Sequence, residues 1–312
     1  MLRFATLVHH PRKLYRMTGL TLDQFQTLTA RLTPLWTEAE RIRLSQRKRQ
    51  HALGQGTKYK LTTLADKLLC VLAFYRFYLT DELMGWLVGL DASNVCRLQQ
   101  RLEPLLAQAA DPSLGLSLRR RLPPGVKKIG TVEELLQVCP EFADVVTDAT
   151  EQQRRRPPSR TQRRWYSGKK KRHTVKTQLT VNRQGRILHV SRSVPGRVHD
   201  YALFKRTGIA RQFPAATSHA LDRGYDGAGT DYPAHHVLVP VKKRRNHRRL
   251  TRAERRFNRL HARRRIIVEH VLSRVKKYQV LVQVYRHRIA DYNRRFRNVS
   301  ALINFRLAPT MA

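Results

Sequence analysis

Carboxylates are scarce in the second half of this 312-residue chain, and their positions are the first clue to chemistry. Of 22 Asp+Glu set against 62 Lys+Arg, fifteen lie in residues 1–151 and only seven in the 161 that follow: Asp200, Asp222, Asp226, Asp231, Glu254, Glu269 and Asp291. An acid kept in such basic surroundings either balances charge locally or takes part in a reaction. Three stand at informative places. Asp148 ends a predicted strand over 145–148, Asp222 ends one over 219–222, and Glu269 lies inside a long predicted helix over 252–278. Acids on three separate elements can converge at one edge of a sheet. Carboxylates a few ångströms apart raise one another's pKa unless a cation neutralises them. Hard oxygen donors with no Cys or paired His nearby select Mg²⁺ or Mn²⁺. Two such ions, about 3.5–4 Å apart, can activate a water or a 3′-hydroxyl and stabilise the leaving oxygen of a phosphodiester.

The elements that must position these acids follow from periodicity. Alternation predicts a strand over 174–181, with Val175, Thr177, Leu179 and Val181 on one face, and a hairpin partner over 186–193 after a turn at 182–185. A helix over 198–207 and a strand over 237–241 complete a mixed α/β arrangement. Asp200, just after Pro195 and Gly196, reads as a helix N-cap with a metal or DNA role as the alternative, and Asp226 and Asp231 read as turn residues. Trp165 and Tyr166, among basic residues, can stack on frayed bases or pack on the sheet edge.

The first half is helical. Apolar spacing predicts a short helix over 20–32 capped by Thr21, a polar linker or arm over 41–60, and a helix marked by Leu61, Leu64, Leu68, Leu72 and Tyr75. From Thr80 the spacing resembles a helix-turn-helix: Gly85 lets two helices approach, Gly89 takes the turn, and Val95 and Leu98 seat the second helix. Ser93 would cap that helix, leaving Asn94, Arg97, Gln99, Gln100 and Arg101 for phosphates or base edges. An ordinary helical hairpin with a solvated polar face is the other reading. The stretch 105–130, with Pro112, Pro123, Pro124 and Gly125, reads as the connection between a helical domain over 1–125 and a second domain over 140–308, with the helix-turn-helix at about 57–110.

A formal net charge of +40 calls for a polyanionic partner. Residues 152–176 carry eleven Lys/Arg and no acid, and 242–265 carry thirteen against Glu254 alone. A basic tail of the ribosomal kind would look similar on charge alone. Cys70, Cys96 and Cys139 are too few and too far apart for a disulfide framework or a zinc knuckle, which points to a reducing compartment; Cys70 and Cys96 fall on apolar faces and read as core. The apolar stretch 68–79 is interrupted by Arg76 and too short for a membrane span, and the N-terminus does not read as a secretory signal. The expected location is intracellular, with no membrane partner.

On the final helix, Arg265, Glu269 and Lys276 sit at i, i+4 and i+11, within about 40° of one direction, beside an apolar stripe of Val268, Val271, Leu272 and Val275. Arg-x-x-x-Glu alone more often means an ion pair on a solvated helix. Together with Asp148 in a Thr-Asp-Ala-Thr-Glu run, Asp222 followed by Arg223, Gly224 and Tyr225, the run from Tyr166 to His173 and that from Pro195 to Asp200, it resembles a DDE transposase of the bacterial insertion-sequence type, a group related to Harbinger-like nucleases. The resemblance covers about 140–308, and the helix-turn-helix matches the family's DNA-binding region.

The resemblance implies a ribonuclease-H-like core in which Asp148, Asp222 and Glu269 are metal-binding catalytic acids for two Mg²⁺ or Mn²⁺ ions. Arg265 and Lys276 become DNA-contacting cations, with Asn94, Arg97, Arg101, Lys169, Lys170 and Lys171 as further DNA contacts. The family's signature begins with a Tyr three residues before the Arg; here that position is Ala262, with His261 beside it as a substitute contact. The implied activity is binding of terminal inverted repeats in double-stranded DNA, metal-dependent strand cleavage and strand transfer, by a homodimer or higher oligomer. The spacing of 47 positions from Asp222 to Glu269 leaves no room for a large insertion domain, and the implied location is the bacterial cytoplasm, on the nucleoid. A catalytically silent or domesticated relative acting as a DNA-binding regulator is the alternative, as is a nuclease of the same fold that does not join strands.

Overall fold

The computed structural model describes residues 1–46, 60–114, 131–243 and 249–307. Two compact units are present. One comprises Met1–Pro112, Lys277–Gln283 and the chain from Arg294 on; the other comprises Ser113–Lys276 and Val284–Asn293.

The first unit opens with α1 (Phe4–Leu7), α2 (Pro11–Thr18), α3 (Leu22–Ser45), α4 (Leu64–Phe77), α5 (Asp81–Val88) and α6 (Ala92–Ala110). Thr21 and Gln24 cap α3 reciprocally, as the sequence predicts for Thr21. The helix runs well past residue 32, because Glu38–Arg41 and Glu40–Arg43 pairs one turn apart support its polar continuation. The rest of the predicted linker, 47–59, lies outside the described residues. Every residue from Leu68 to Tyr75 of α4 is buried, so this helix is packed all round. Thr80 caps α5 by accepting from the Leu83 N–H at 3.3 Å. Gly89 takes φ +71, and a Cβ on Gly85 would lie 2.3 Å from the Leu90 carbonyl oxygen, so both glycines are required where the spacing placed them. Ser93 does not cap α6; it lies inside the helix, and Asp91 is the N-cap residue. The helix also continues through Pro104 to Ala110, into the first residues of the predicted irregular stretch, whose residues 115–130 lie outside those described.

The second unit contains α7 (Val132–Val138), β1 (Asp144–Gln153), α8 (Ser159–Trp165), β2 (Tyr166–Ser167), β3 (Arg172–Asn182), β4 (Ile187–Val190), β5 (Val194–Pro195), α9 (Asp200–Thr207), α10 (Ile209–Gln212), β6 (Ser218–Leu221), α11 (Ala228–Asp231), β7 (His236–Leu238) and α12 (Arg252–Val275). The sheet runs β2-β3-β1-β6-β7, with β4 and β5 also paired to β3. β1 is antiparallel to β3 from Val145↔Asn182 to Gln153↔Thr174, while β1, β6 and β7 are parallel, so the sheet is mixed and flanked by helices. That is the mixed α/β class read from the sequence. β3 is buried on both faces from Thr174 to Asn182 and not on alternate residues, since α9 and α12 both pack on it. Val268, Val271, Leu272 and Val275 are the buried stripe of α12, as predicted. Phe142, Val145, Leu188, Phe204, Phe213, Leu221 and Tyr225 form the core cluster beneath α9 and α10.

A last helix, α13 (Ile289–Leu307), was not anticipated. From Arg294 on it belongs to the helical unit, as do residues 277–283, so the second unit does not extend over the whole of 140–308. The reason is a buried polar network: Arg295 donates to Glu103 at 2.8 Å and to Gln99 at 2.9 Å, and the Asn298 amide donates to the Tyr75 hydroxyl and the Glu103 carbonyl. Gln99 is therefore buried at the centre of the helical unit and is not presented to a ligand.

Candidate active site

Strand register places the first two acids. β1 and β6 pair in parallel through Thr147↔Leu221, so Asp148 and Asp222 are the next residues of two adjacent strands, about 4.8 Å apart. Asp148, predicted to end its strand, does not; β1 continues to Gln153 because β3 pairs with it from Val145 to Gln153. β6 ends at Leu221, one residue before the predicted bound, and Asp222 follows it as the N-cap residue of a single 3-10 turn from Arg223 to Tyr225. Tyr225 anchors that turn: it is buried, and its hydroxyl accepts from the Gln178 amide at 2.9 Å.

Arg265, on α12, reaches both carboxylates. Its Nη1 donates to Asp222 Oδ1 at 2.9 Å and its Nη2 to Asp148 Oδ2 at 3.4 Å. Burial raises the Asp148 pKa, an effect that the Ala149 N–H and the Arg265 charge oppose and that Asp222 and Asp200 reinforce. Glu269, one turn further along α12, is exposed and lines a cleft with Asp148, Glu151, Asp200, Lys169, Lys170 and Lys276. Asp148 is thus shared between two groupings: with Asp222 around Arg265, and with Glu269 and Asp200 in the cleft.

Asp200 is not an N-cap. His199 caps α9 by accepting from the Tyr201 N–H, and Asp200, the first helical residue, pairs with Lys176 at 2.6 Å. Lys176 is buried, donates to the Val198 carbonyl at 2.6 Å, and stands 3.3 Å from Glu151, its cross-strand partner in the β1–β3 register. The loop before α9 can approach β3 because Gly196 has no side chain; a Cβ there would lie 1.8 Å from Thr174 Oγ1. Sequence reasoning missed Lys176 and Glu151. Their signal was a charge on the predicted strand 174–181 and another just past the predicted strand 145–148, unreadable until the register paired them.

The predicted DNA contacts divide. Asn94 and Arg97 are exposed near the start of α6 and hydrogen-bonded to each other at 3.0 Å. Arg101 is instead held by Glu40 of α3 and lies 5.0 Å over the Trp36 ring, so it is part of the helical unit's packing. Lys169, Lys170 and Lys171 are exposed in the β2–β3 turn, where Lys171 takes a left-handed φ of +52. His261 cannot substitute for the missing tyrosine: it is buried, its Nε2 is 3.0 Å from the Leu238 carbonyl, and burial lowers its pKa. Asp231 accepts from Tyr201 and Lys205, and Arg154 lies 4.2 Å over Trp165.

Among the described residues, no three His, Cys, Asp or Glu side chains stand close enough together to hold an ion as they are. The donor chemistry nevertheless fits a hard divalent cation: two carboxylates converge on one cationic group, and every candidate ligand is a carboxylate.

Residues 147–304 match the family model described as a DDE superfamily endonuclease. The match spans half of the chain, and the protein is a member of that family. Along nearly its full length the chain is also similar to a probable transposase for insertion sequence element IS702 from Microchaete diplosiphon, at 29% identity over 297 residues and 95% of each protein. No solved structure matches. Among the described residues, no helix is long and apolar enough to cross a membrane.

Proposed function

We propose that this DDE endonuclease is the transposase of an insertion sequence, which binds terminal inverted repeats, cleaves double-stranded DNA and joins the freed 3′-hydroxyl to a target without a covalent protein–DNA intermediate. In this reading the core is ribonuclease-H-like, and Asp148, Asp222 and Glu269 hold Mg²⁺ or Mn²⁺. When bound, the ions supply activation of the attacking oxygen and stabilisation of the leaving one. The chain's own residues do the rest. Lys169, Lys170, Lys171 and Lys276 draw phosphates to the cleft, while Asn94 and Arg97 offer the α5–α6 hairpin to DNA as a helix-turn-helix. Two DNA ends must be held together, which calls for at least a dimer. What carries this reading is the convergence of Asp148 and Asp222, from adjacent parallel strands, on one cationic group one helical turn before Glu269.

The test incubates the full chain with a labelled duplex carrying the gene's flanking DNA, in Mg²⁺, Mn²⁺ or EDTA, beside Asp148→Ala and Glu269→Ala. Metal-dependent nicks at one position, lost by at least ~10³-fold in both variants while binding persists, are expected. Tight binding without cleavage in either metal would leave the regulator reading standing.

A further inference from the structure

The sequence assigns Arg265 to DNA, yet its guanidinium lies between the two carboxylates that the proposed reaction needs. Asp148 and Asp222 sit next to each other on parallel strands, and two anions so placed repel. Arg265 contributes one hydrogen bond to each, from separate nitrogens, at 3.4 Å and 2.9 Å. Neither contact is the bidentate fork that makes an Arg–carboxylate pair strong. The hold is also incomplete, because Arg265 Nε is buried and has no hydrogen-bond partner. Asp222 is 41% exposed, so its share of the attraction is screened by solvent. The arrangement is therefore a bridging cation with one contact to each acid and one donor unused.

We infer that Arg265 is a positioning residue which substitutes for a divalent cation between Asp148 and Asp222 when none is bound, and which is displaced when one enters. A guanidinium and a divalent ion cannot share the same two carboxylates without strong repulsion, so loading competes with the ion pair. Once displaced, the guanidinium, with five donors and a fixed charge, is free for a DNA phosphate. Metal loading and DNA contact are then coupled through one side chain. This inference rests on Asp148 and Asp222 being the metal-binding acids.

The experiment measures Mn²⁺ binding to the full chain without DNA, by electron paramagnetic resonance, for wild type, Arg265→Gln, Arg265→Lys and Asp148→Asn. Removing the competing cation should tighten Mn²⁺ binding in Arg265→Gln on the order of tenfold, because the binding-competent arrangement no longer has to be vacated. Arg265→Lys, which keeps the charge, should stay close to wild type. The Arg265 Nε–H resonance of the wild-type chain, assigned by its loss in Arg265→Lys, should shift on Mg²⁺ addition, a readout that survives if Arg265→Gln fails to fold. Unchanged or weaker Mn²⁺ binding in folded Arg265→Gln, or a resonance indifferent to Mg²⁺, overturns the displacement. Asp148→Asn separates the two failures: if it binds Mn²⁺ like wild type, the acids themselves are misassigned.

Discussion

Lys176 shows how much of this site depends on a residue that is not one of its acids. Its ammonium is buried between Glu151 and Asp200, 3.3 Å and 2.6 Å away. Lys176→Met would leave half-buried Glu151, which keeps its hydrogen bond from Thr174, without its cation, at a cost of about 1–2 kcal/mol. Urea unfolding followed by Trp165 fluorescence, with Trp36 and Trp86 replaced by Phe, checks this in the second unit. Arg97 and Arg101, one turn apart on α6, should separate by role. Arg97→Ala is expected to weaken DNA binding with stability unchanged, whereas Arg101→Ala, which breaks the contacts to Glu40 and Trp36, should lower the stability of the helical unit by about 1–2 kcal/mol. Gel-shift titration and thermal unfolding distinguish them.

At the scale of the element, β6 leads directly into Asp222 and carries a buried histidine three residues before it. His219 is fully buried against the Phe213 and His235 rings, and neither of its ring nitrogens has a hydrogen-bond partner. Burial, with His235 adding to it, depresses its pKa from 6.5 to about 4. The unfolded chain therefore binds a proton that the folded chain refuses, so stability is full above pH 6.5 and falls as the pH drops from there towards 4. The loss amounts to about 3 kcal/mol at pH 4, from 1.36 kcal/mol per pKa unit. Thermal unfolding of wild type and His219→Leu between pH 7 and pH 4 should show wild type losing stability relative to the variant as the pH falls, by about 3 kcal/mol at pH 4. A parallel decline in both would exclude His219 as the cause.

For the whole molecule, the helical unit is discontinuous in sequence. Glu103 is fully buried and is neutralised by Arg295 and Arg294, nearly two hundred residues away along the chain. Asn304 donates to Asp111 at 2.7 Å, and Val299, Leu302 and Ile303 are buried. A fragment ending at residue 114 would keep α1 to α6 but leave Glu103 unpaired and the face that receives α13 exposed to water. It should show helical circular dichroism without a cooperative thermal transition, whereas the full chain should unfold cooperatively. A sharp transition in the fragment would mean that the late segment is dispensable.

The sequence by itself determined the local and the compositional: the charge that demands a polyanion, the cap at Thr21, the glycines of the α5–α6 turn, the apolar stripe of α12, and three acids set apart along the chain with the motifs around them. Each is legible because it depends on neighbours within a few positions or on totals over the chain. Tertiary structure decided what depends on distant partners. Register alone set Asp148 beside Asp222 and Glu151 opposite Lys176, since a shift of one residue would turn each to the other face of the sheet. Three-dimensional packing took Gln99, Arg101 and His261 away from DNA, gave Asp200 to Lys176, and carried the chain after Arg294 into the helical unit. A polar side chain reads alike in sequence whether water or a buried opposite charge awaits it, and only the fold settles which.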